Sequence, residues 1–267
     1  MKDVTFDAGA AAYDRFTGRW SLAFRSSLLA AAQVTVGQTV LDVASGTGLL
    51  AEMTASRVGP SGRVIATDIS LPMLRATQGR IAGLSATVVA MDGQALACRD
   101  GSFDAVLCQL GLMFFPDVER GLRELRRVLR RRGRLAVQVW SSPDRVPYLG
   151  VLADALSGHF EDRRDLLYLQ CALADPARLR QLLGAAGFRD VSVVAESREL
   201  AFDSFDDYWS GVEAGAGRLG QFYLQLPDDR RRAVRAEVSR RLARFESAGR
   251  LVLSAEALIG AGRVPEG

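Results

Sequence analysis

One short run of this 267-residue chain carries the residue types that ligand chemistry needs. Val40-Leu41-Asp42-Val43-Ala44-Ser45-Gly46-Thr47-Gly48-Leu49-Leu50-Ala51 reads as an apolar strand, a glycine turn and the start of a helix. Gly46 and Gly48 permit positive φ and a close backbone approach to a ligand. The helix behind them offers unpaired N–H groups. That spacing alone is shared with dinucleotide-binding domains. Asp42 sharpens it, because an acid just before the glycines would repel a pyrophosphate and suits a ligand with a positive end. Asp68 ends a second apolar stretch, where a carboxylate can accept from both hydroxyls of a ribose. Met91-Asp92-Gly93-Gln94 ends a third, where an acid can accept from an exocyclic adenine amine. Each acid also has a local use: Asp42 and Asp68 as caps, Asp92 as a turn residue before Gly93. Their common place at strand C-termini, the binding edge of open α/β sheets, favours one shared ligand.

The acids share that edge only if the strands are parallel, and the pattern around them predicts this. Strands are expected over Thr39–Val43, Arg63–Asp68, Ala86–Met91, Phe103–Gln109 and Leu135–Trp140. Helices are expected between them: Leu49–Val58, one capped by Ser70 with Pro72 in its first turn, and one capped by Asp117 and ended by Gly133. In the last of these, Val118, Leu122, Leu125 and Leu129 repeat at helical spacing. Strands that are apolar throughout and alternate with helices imply a parallel sheet covered on both faces. Further on, a helix over Ala177–Ala186, a sixth strand over Val191–Val194, helices over 205–247 and a last strand near Glu256–Gly262 complete the reading. At the other end, Phe16, Trp20 and Phe24 fall on one face of an N-terminal helix.

Five motifs in this order resemble the class I S-adenosylmethionine (SAM)-dependent methyltransferases, in particular the ubiquinone/menaquinone-type branch that acts on small molecules. They are Leu41-Asp42-Val43-Ala44-Ser45-Gly46-Thr47-Gly48, Val64-Ile65-Ala66-Thr67-Asp68-Ile69-Ser70, Met91-Asp92-Gly93-Gln94-Ala95-Leu96, Phe103-Asp104-Ala105-Val106 continuing through Gln109-Leu110-Gly111-Leu112-Met113-Phe114, and Leu125-Arg126-Arg127-Val128-Leu129 through Gly133-Arg134-Leu135. The resemblance covers roughly residues 10–140. It implies a Rossmann-like α/β fold: a seven-stranded, mostly parallel sheet with helices on both faces, a helical N-terminal lid (1–35), a SAM-binding core (36–204, with 141–175 on the substrate side), a helical cap insertion (205–248) and a last core strand with the tail (249–267). It also implies a set of cofactor residues. Ala44, Gly46, Thr47 and Gly48 would flank the methionine part of SAM, with Asp42 toward its charged end. Asp68 would hold the ribose, Ile69 and Met73 the adenine face, and Asp92 the adenine amine, with Met91, Gly93 and Gln94 beside it. Gln109, Leu110 and Gly111 would border the methionine chain near the methyl. From the lid, Tyr13 would lie over the cofactor and Arg19 would pair with its carboxylate. The Arg130-Arg131-Arg132-Gly133 turn departs from the family, which often has a proline before that glycine.

In such an enzyme the cofactor carries the chemistry and the protein aligns and desolvates. A base is optional. His159 is the sole histidine and the first candidate for one; Tyr13 and Tyr148 are others. The aromatics Phe205, Tyr208, Trp209, Phe222 and Tyr223 offer either an acceptor wall or the core of a helical cap, and Gly215–Gly220 reads as a flexible turn beside them. The implied partner is a small-molecule acceptor, aromatic or natural-product in kind. An enzyme of the same scaffold that binds SAM without methylating, such as a cyclase, and an NAD-dependent oxidoreductase stay open as alternatives.

Composition bounds the rest. Net charge is +3 with 34 Lys and Arg against 31 Asp and Glu, so no strongly basic surface for nucleic acid is expected. No apolar run is long enough for a membrane span, and Met1-Lys2-Asp3-Val4-Thr5-Phe6 lacks the core of a signal peptide. Cys98, Cys108 and Cys171 show no metal-ligand spacing, which predicts no metal site and a reducing, cytoplasmic setting. Homodimer and monomer are both compatible with the sequence.

Overall fold

Val40 and Leu41 point to opposite faces of one strand, and each meets a different core. In the computed structural model, which describes residues 10–266, the chain runs α1 (Ala10–Tyr13), α2 (Thr17–Ala31), β1 (Thr39–Val43), α3 (Leu49–Val58), β2 (Arg63–Asp68), α4 (Leu71–Arg80), β3 (Ala86–Ala90), β4 (Phe103–Gln109), α5 (Val118–Val128), β5 (Leu129–Trp140), α6 (Pro147–Ser157), α7 (Arg164–Leu167), α8 (Pro176–Ala185), β6 (Arg189–Phe202), α9 (Phe205–Glu213), α10 (Gly217–Leu224), α11 (Asp228–Leu242), β7 (Glu246–Ser247) and β8 (Arg250–Arg263). The first nine residues of the expected lid, including the segment read for a signal peptide, lie outside the described residues.

The strand order is β3-β2-β1-β4-β5-β8-β6, with β7 pairing β8 off this path. The pairs β2–β3, β1–β2, β1–β4 and β4–β5 are parallel; β8 is antiparallel to both β5 and β6. Successive side chains of a strand alternate faces. Val40, Val64, Ala66, Ala105, Leu107 and Ala136 therefore share one core with Leu28, Leu50, Ala55 and Val58 from α2 and α3. Leu41, Val43, Val106, Cys108, Leu135 and Val137 share the other with Leu122 and Leu125 from α5 and Leu179 and Leu183 from α8. Ser70, Asp117 and Asp175 cap α4, α5 and α8 through their side chains.

Several boundaries differ from the sequence reading, among them the last strand, which begins at Arg250 rather than near Glu256. Helix α5 stops at Val128 and Leu129 is already extended (φ −76°, ψ 139°), paired with Phe103 in the sheet. The arginine turn lies within β5, where Arg132 takes φ +64°. A Cβ on Gly133 would stand 2.8 Å from the Arg130 carbonyl oxygen. Strand β6 runs from Arg189 to Phe202, far beyond Val191–Val194, because it pairs with β8 down to Phe202–Leu251. Its polar residues, such as Glu196 and Arg198, hid that length. Finally, Gly215–Gly220 is not one flexible turn: α10 begins at Gly217 and contains Gly220. No helix among the described residues is long and apolar enough to cross a membrane.

Candidate cofactor and acceptor site

The order of the sheet reverses between β1 and β4, whose onward connections leave to opposite sides and open a crevice at their C-terminal ends. A cleft of about 330 Å³ lies there, within the range of ligand pockets. Thirteen of the residues singled out from sequence line it: Tyr13, Ala44, Gly46, Asp68, Ile69, Met73, Met91, Asp92, Gly93, Gln94, Gln109, Leu110 and Gly111. A deeper recess of about 20 Å³ beneath the glycine turn is walled by Asp42, Ser45, Thr47 and Gln109.

The turn is held by its own backbone and by Asp68. The Gly46 N–H donates to one oxygen of the Asp68 carboxylate at 2.9 Å, and the Ser70 N–H donates to the other at 2.9 Å. One acid thus ties β2 to the turn after β1. Gly46 sits at φ +56°, and a Cβ there would meet only the edge of the Tyr13 ring, at 3.9 Å, so the backbone is open to a ligand. Gly48 is different. It caps α3 at φ +83°, packs on Thr77 and lines none of the cavities described here. Thr47 wets the deep recess, but its hydroxyl donates to Asp14 at 2.5 Å and its carbonyl accepts from Arg80 at 2.9 Å. Arg80 also pairs with Asp14. This cluster latches the start of the lid onto the glycine turn.

Asp42 is fully buried, and neither carboxylate oxygen has a hydrogen-bond partner. Burial first, and the charge of Asp68 second, push its pKa up to about 8. An unpartnered acid lining this recess is complementary to a cationic group. Asp92 accepts from the Gln94 N–H at 2.9 Å, so its turn role and a place on the cleft coexist. Gln94 accepts from the Asp117 N–H at 2.8 Å and so fixes the turn that brings Phe115 and Pro116 over the cleft. Gln109 donates to the Ser21 carbonyl and to Gln138, at 3.0 and 2.9 Å. Leu110 (φ +54°) and Ala44 (φ +56°) are non-glycine residues in the left-handed region. Gly111 is indispensable beside them, because its Cβ would fall 2.4 Å from that of Ala44.

Two expectations are corrected by the contacts. Arg19 does not reach the cleft. Its guanidinium donates to Asp207 at 3.1 Å and to the Ala201 carbonyl at 2.6 Å, and it lies over the Phe202 ring at 4.2 Å. These contacts turn it toward β6 and α9. His159 follows the end of α6, half-buried, and lines none of the described cavities. Tyr13 does line the cleft, and burial first pushes its hydroxyl up to about 12. It would enter a reaction as a proton donor in a hydrogen bond, not as a base.

A second recess of about 50 Å³ adjoins the cleft and shares Tyr13, Leu110, Phe114 and Arg218 with it. Its walls include Phe16, Trp140 and Tyr148. Trp20 stacks on Tyr148 from behind at 4.9 Å. The cap aromatics Tyr208, Trp209, Phe222 and Tyr223 instead pack inward on one another and on Phe205 and Phe160 as core. Sequence reasoning missed Arg218, Phe115 and Trp140. Trp140 carried a usable signal, since it ends β5 at the same sheet edge as Gln109. Arg218 carried none, because only the folded cap brings α10 over the cleft.

The geometry fits a nucleoside with a cationic amino-acid tail: open backbone at Gly46, an orphaned acid at Asp42, and further carboxylates at Asp68 and Asp92. Residues 41–137 match the family model described as a methyltransferase domain. The chain is 36% identical over 146 residues to a ubiquinone/menaquinone biosynthesis C-methyltransferase of Hahella chejuensis, covering 52% of this chain and 59% of that enzyme. It is 30% identical over 263 residues to a nocamycin O-methyltransferase of Saccharothrix syringae, covering 92% of each. A solved SAM-dependent methyltransferase from Aquifex aeolicus superposes with a TM-score of 0.55 at 21% identity, over 71% of this chain and 93% of that one, which speaks to the fold. With the site geometry, these similarities make the chain a member of the class I SAM-dependent methyltransferases of the small-molecule type.

Proposed function

We propose that the chain transfers a methyl group from SAM to a small organic acceptor whose apolar body occupies the recess walled by Phe16, Trp140 and Tyr148. The observation that carries this reading is the continuity of that recess with the cleft: Tyr13, Leu110, Phe114 and Arg218 border both. An acceptor there meets the end of the cleft without crossing solvent. When bound, SAM supplies an activated methyl on a sulfonium; the rest is positioning.

In this reading Asp42 holds the α-ammonium, Asp68 the ribose hydroxyls and Asp92 the adenine amine. Ile69 and Met73 flank the adenine, and the peptide groups around Gly46 and Gly111 border the amino-acid chain. Tyr13 covers the junction of cleft and recess. The near-full-length similarity to an O-methyltransferase supports oxygen as the atom methylated. The free thiols of Cys98, Cys108 and Cys171 support a cytoplasmic setting. Incubation with methyl-labelled SAM and a panel of apolar acids and phenols tests the proposal. Label in an extracted product supports it. Tight S-adenosylhomocysteine binding with no label transferred to any member would instead favour a SAM-binding enzyme that does not methylate.

A further inference from the structure

Arg218 stands where the cleft and the aromatic recess meet, and among the described residues no side chain pairs with it. It borders both cavities from the first turn of α10. Its Nε is buried without a hydrogen bond, and among the described residues no carboxylate pairs with its guanidinium. The charged group beside it is another cation, Arg163, which lies over Phe222. Burial first, and that like charge second, disfavour the charged form. A guanidinium nevertheless stays ionised in proteins, so a half-buried, unpaired one beside a second cation costs folding energy until an anion arrives. The second observation is in the same recess. Tyr148 is completely buried, lines the recess, and its hydroxyl has no partner. Burial pushes its pKa well upward, so it stays a hydrogen-bond donor. The aromatic recess therefore presents one cation and one unused O–H donor, both complementary to an anionic oxygen.

Resting on the methyltransferase reading, we infer that the acceptor is an acid, a carboxylate or an acidic enol on an apolar body, whose ionised oxygen is held by Arg218 with Tyr148 as a second donor. The reaction then needs no base. The acceptor oxygen arrives without its proton and forms the new O–CH₃ bond with its own electron pair. The S–CH₃ bond breaks and its pair stays on sulfur, so anion and sulfonium become neutral ester or ether and neutral thioether. This accounts for a cleft in which Tyr13 is too weak an acid to serve as a base and His159 is elsewhere. The amino-acid carboxylate of SAM would meet Arg218 only if that tail pointed to the recess, away from Asp42.

The test uses the full-length protein saturated with S-adenosylhomocysteine, whose affinity is first measured by calorimetry. 4-Fluorobenzoate and its neutral isostere 4-fluorobenzamide are then titrated by fluorine NMR. We expect the acid to bind at least tenfold more tightly than the amide. Arg218→Gln should abolish that preference and Arg218→Lys should restore part of it, with the S-adenosylhomocysteine affinity of both variants within about threefold of wild type. Thermal unfolding checks that both variants are folded; the lysine variant keeps the test usable if the glutamine one is not. Equal binding of acid and amide, binding of neither, or a preference that survives Arg218→Gln overturns the inference. So does a tenfold loss of S-adenosylhomocysteine in Arg218→Gln, which would make Arg218 a cofactor residue. Failure of the wild-type protein to bind S-adenosylhomocysteine would instead remove the cofactor reading on which the inference rests.

Discussion

If Asp42 holds the ligand's ammonium, as proposed, affinity for S-adenosylhomocysteine should depend on pH. The Asp42 carboxyl titrates at about 8 in the ligand-free protein because it is buried and faces Asp68. An ammonium needs the carboxylate form. With that pKa roughly 1% of molecules are ionised at pH 6 and roughly 10% at pH 7, so binding costs about 1.4 kcal/mol less at the higher pH. The ligand's ammonium stays largely protonated below about pH 7.5. S-Adenosylhomocysteine should therefore bind about tenfold more tightly at pH 7 than at pH 6, releasing close to one proton per ligand. Calorimetry in buffers of different ionisation enthalpy reads both quantities. Asp42→Asn should bind weakly, with no pH slope and no proton release attributable to this site, which separates Asp42 from other titrating groups. The ligand-free protein should respond in the opposite sense. The folded pKa is raised above the ordinary value of 3.8, so the unfolded chain ionises first. Stability is then complete below about 3.8 and declines as pH rises toward about 8, and Asp42→Asn should flatten that decline in melting temperature. An affinity equal at pH 6 and pH 7, or a slope that persists in Asp42→Asn, would refute the assignment.

Other substitutions separate the remaining roles. Asp68→Ala should weaken S-adenosylhomocysteine by roughly 1.5–3 kcal/mol, as lost charge-assisted hydrogen bonds do, and should loosen the Gly46 turn, which calorimetry and amide exchange can follow together. Arg19→Ala should lower stability by about 1 kcal/mol or less, because its partner Asp207 is partly exposed, while cofactor affinity measured by calorimetry stays unchanged. Gly111→Ala should abolish binding or folding, since no neighbouring backbone can yield to a carbon 2.4 Å from Ala44 Cβ; an unaltered melting temperature and affinity would contradict the packing. His159→Asn should leave turnover of an identified acceptor intact, in keeping with its place outside the cleft.

The sequence was most legible where periodicity and chemistry coincide. Asp42, Asp68 and Asp92 could be placed at one edge because apolar strands alternating with capped helices admit few arrangements other than a parallel sheet. The lid and cap were less legible for a physical reason. An arginine near an aromatic segment has no intrinsic partner: Arg19 is drawn away from the cleft by contacts 182 and 188 residues distant, and Arg218 reaches the cleft only because the cap folds over it. Likewise Phe205, Tyr208 and Trp209 could be core or binding wall until the fold showed them packed on one another, with Trp140 and Tyr148 lining the recess instead. The two antiparallel strands at the far edge were under-read because β6 is half polar, a pattern suited to one covered face rather than two.

The groups that the protein leaves unsatisfied carry the same message as the motifs. Buried polar atoms are normally paired, and each that is not costs roughly 1–3 kcal/mol. Among the described residues the side chains with buried unpartnered atoms are Trp20, Asp42, Ser45, Thr67, Gln138, Tyr148 and Arg218. Four of them wall the cleft or its recesses. The other three stand directly behind: Trp20 on Tyr148, Gln138 against Gln109, and Thr67 next to Asp68. Trp20 and Tyr148 belong to one core, where they stack beside the recess, and the other core contains none of the seven. The charged members are also sorted by sign, with the acid under the glycine turn and the guanidinium at the aromatic recess. A zwitterionic ligand in the cleft with its ammonium at Asp42 leaves the Tyr148 hydroxyl, which lines only the recess, as it is. Two ligands of opposite local charge, meeting between Gly46 and Arg218 as proposed, would satisfy Asp42, Arg218 and Tyr148 together.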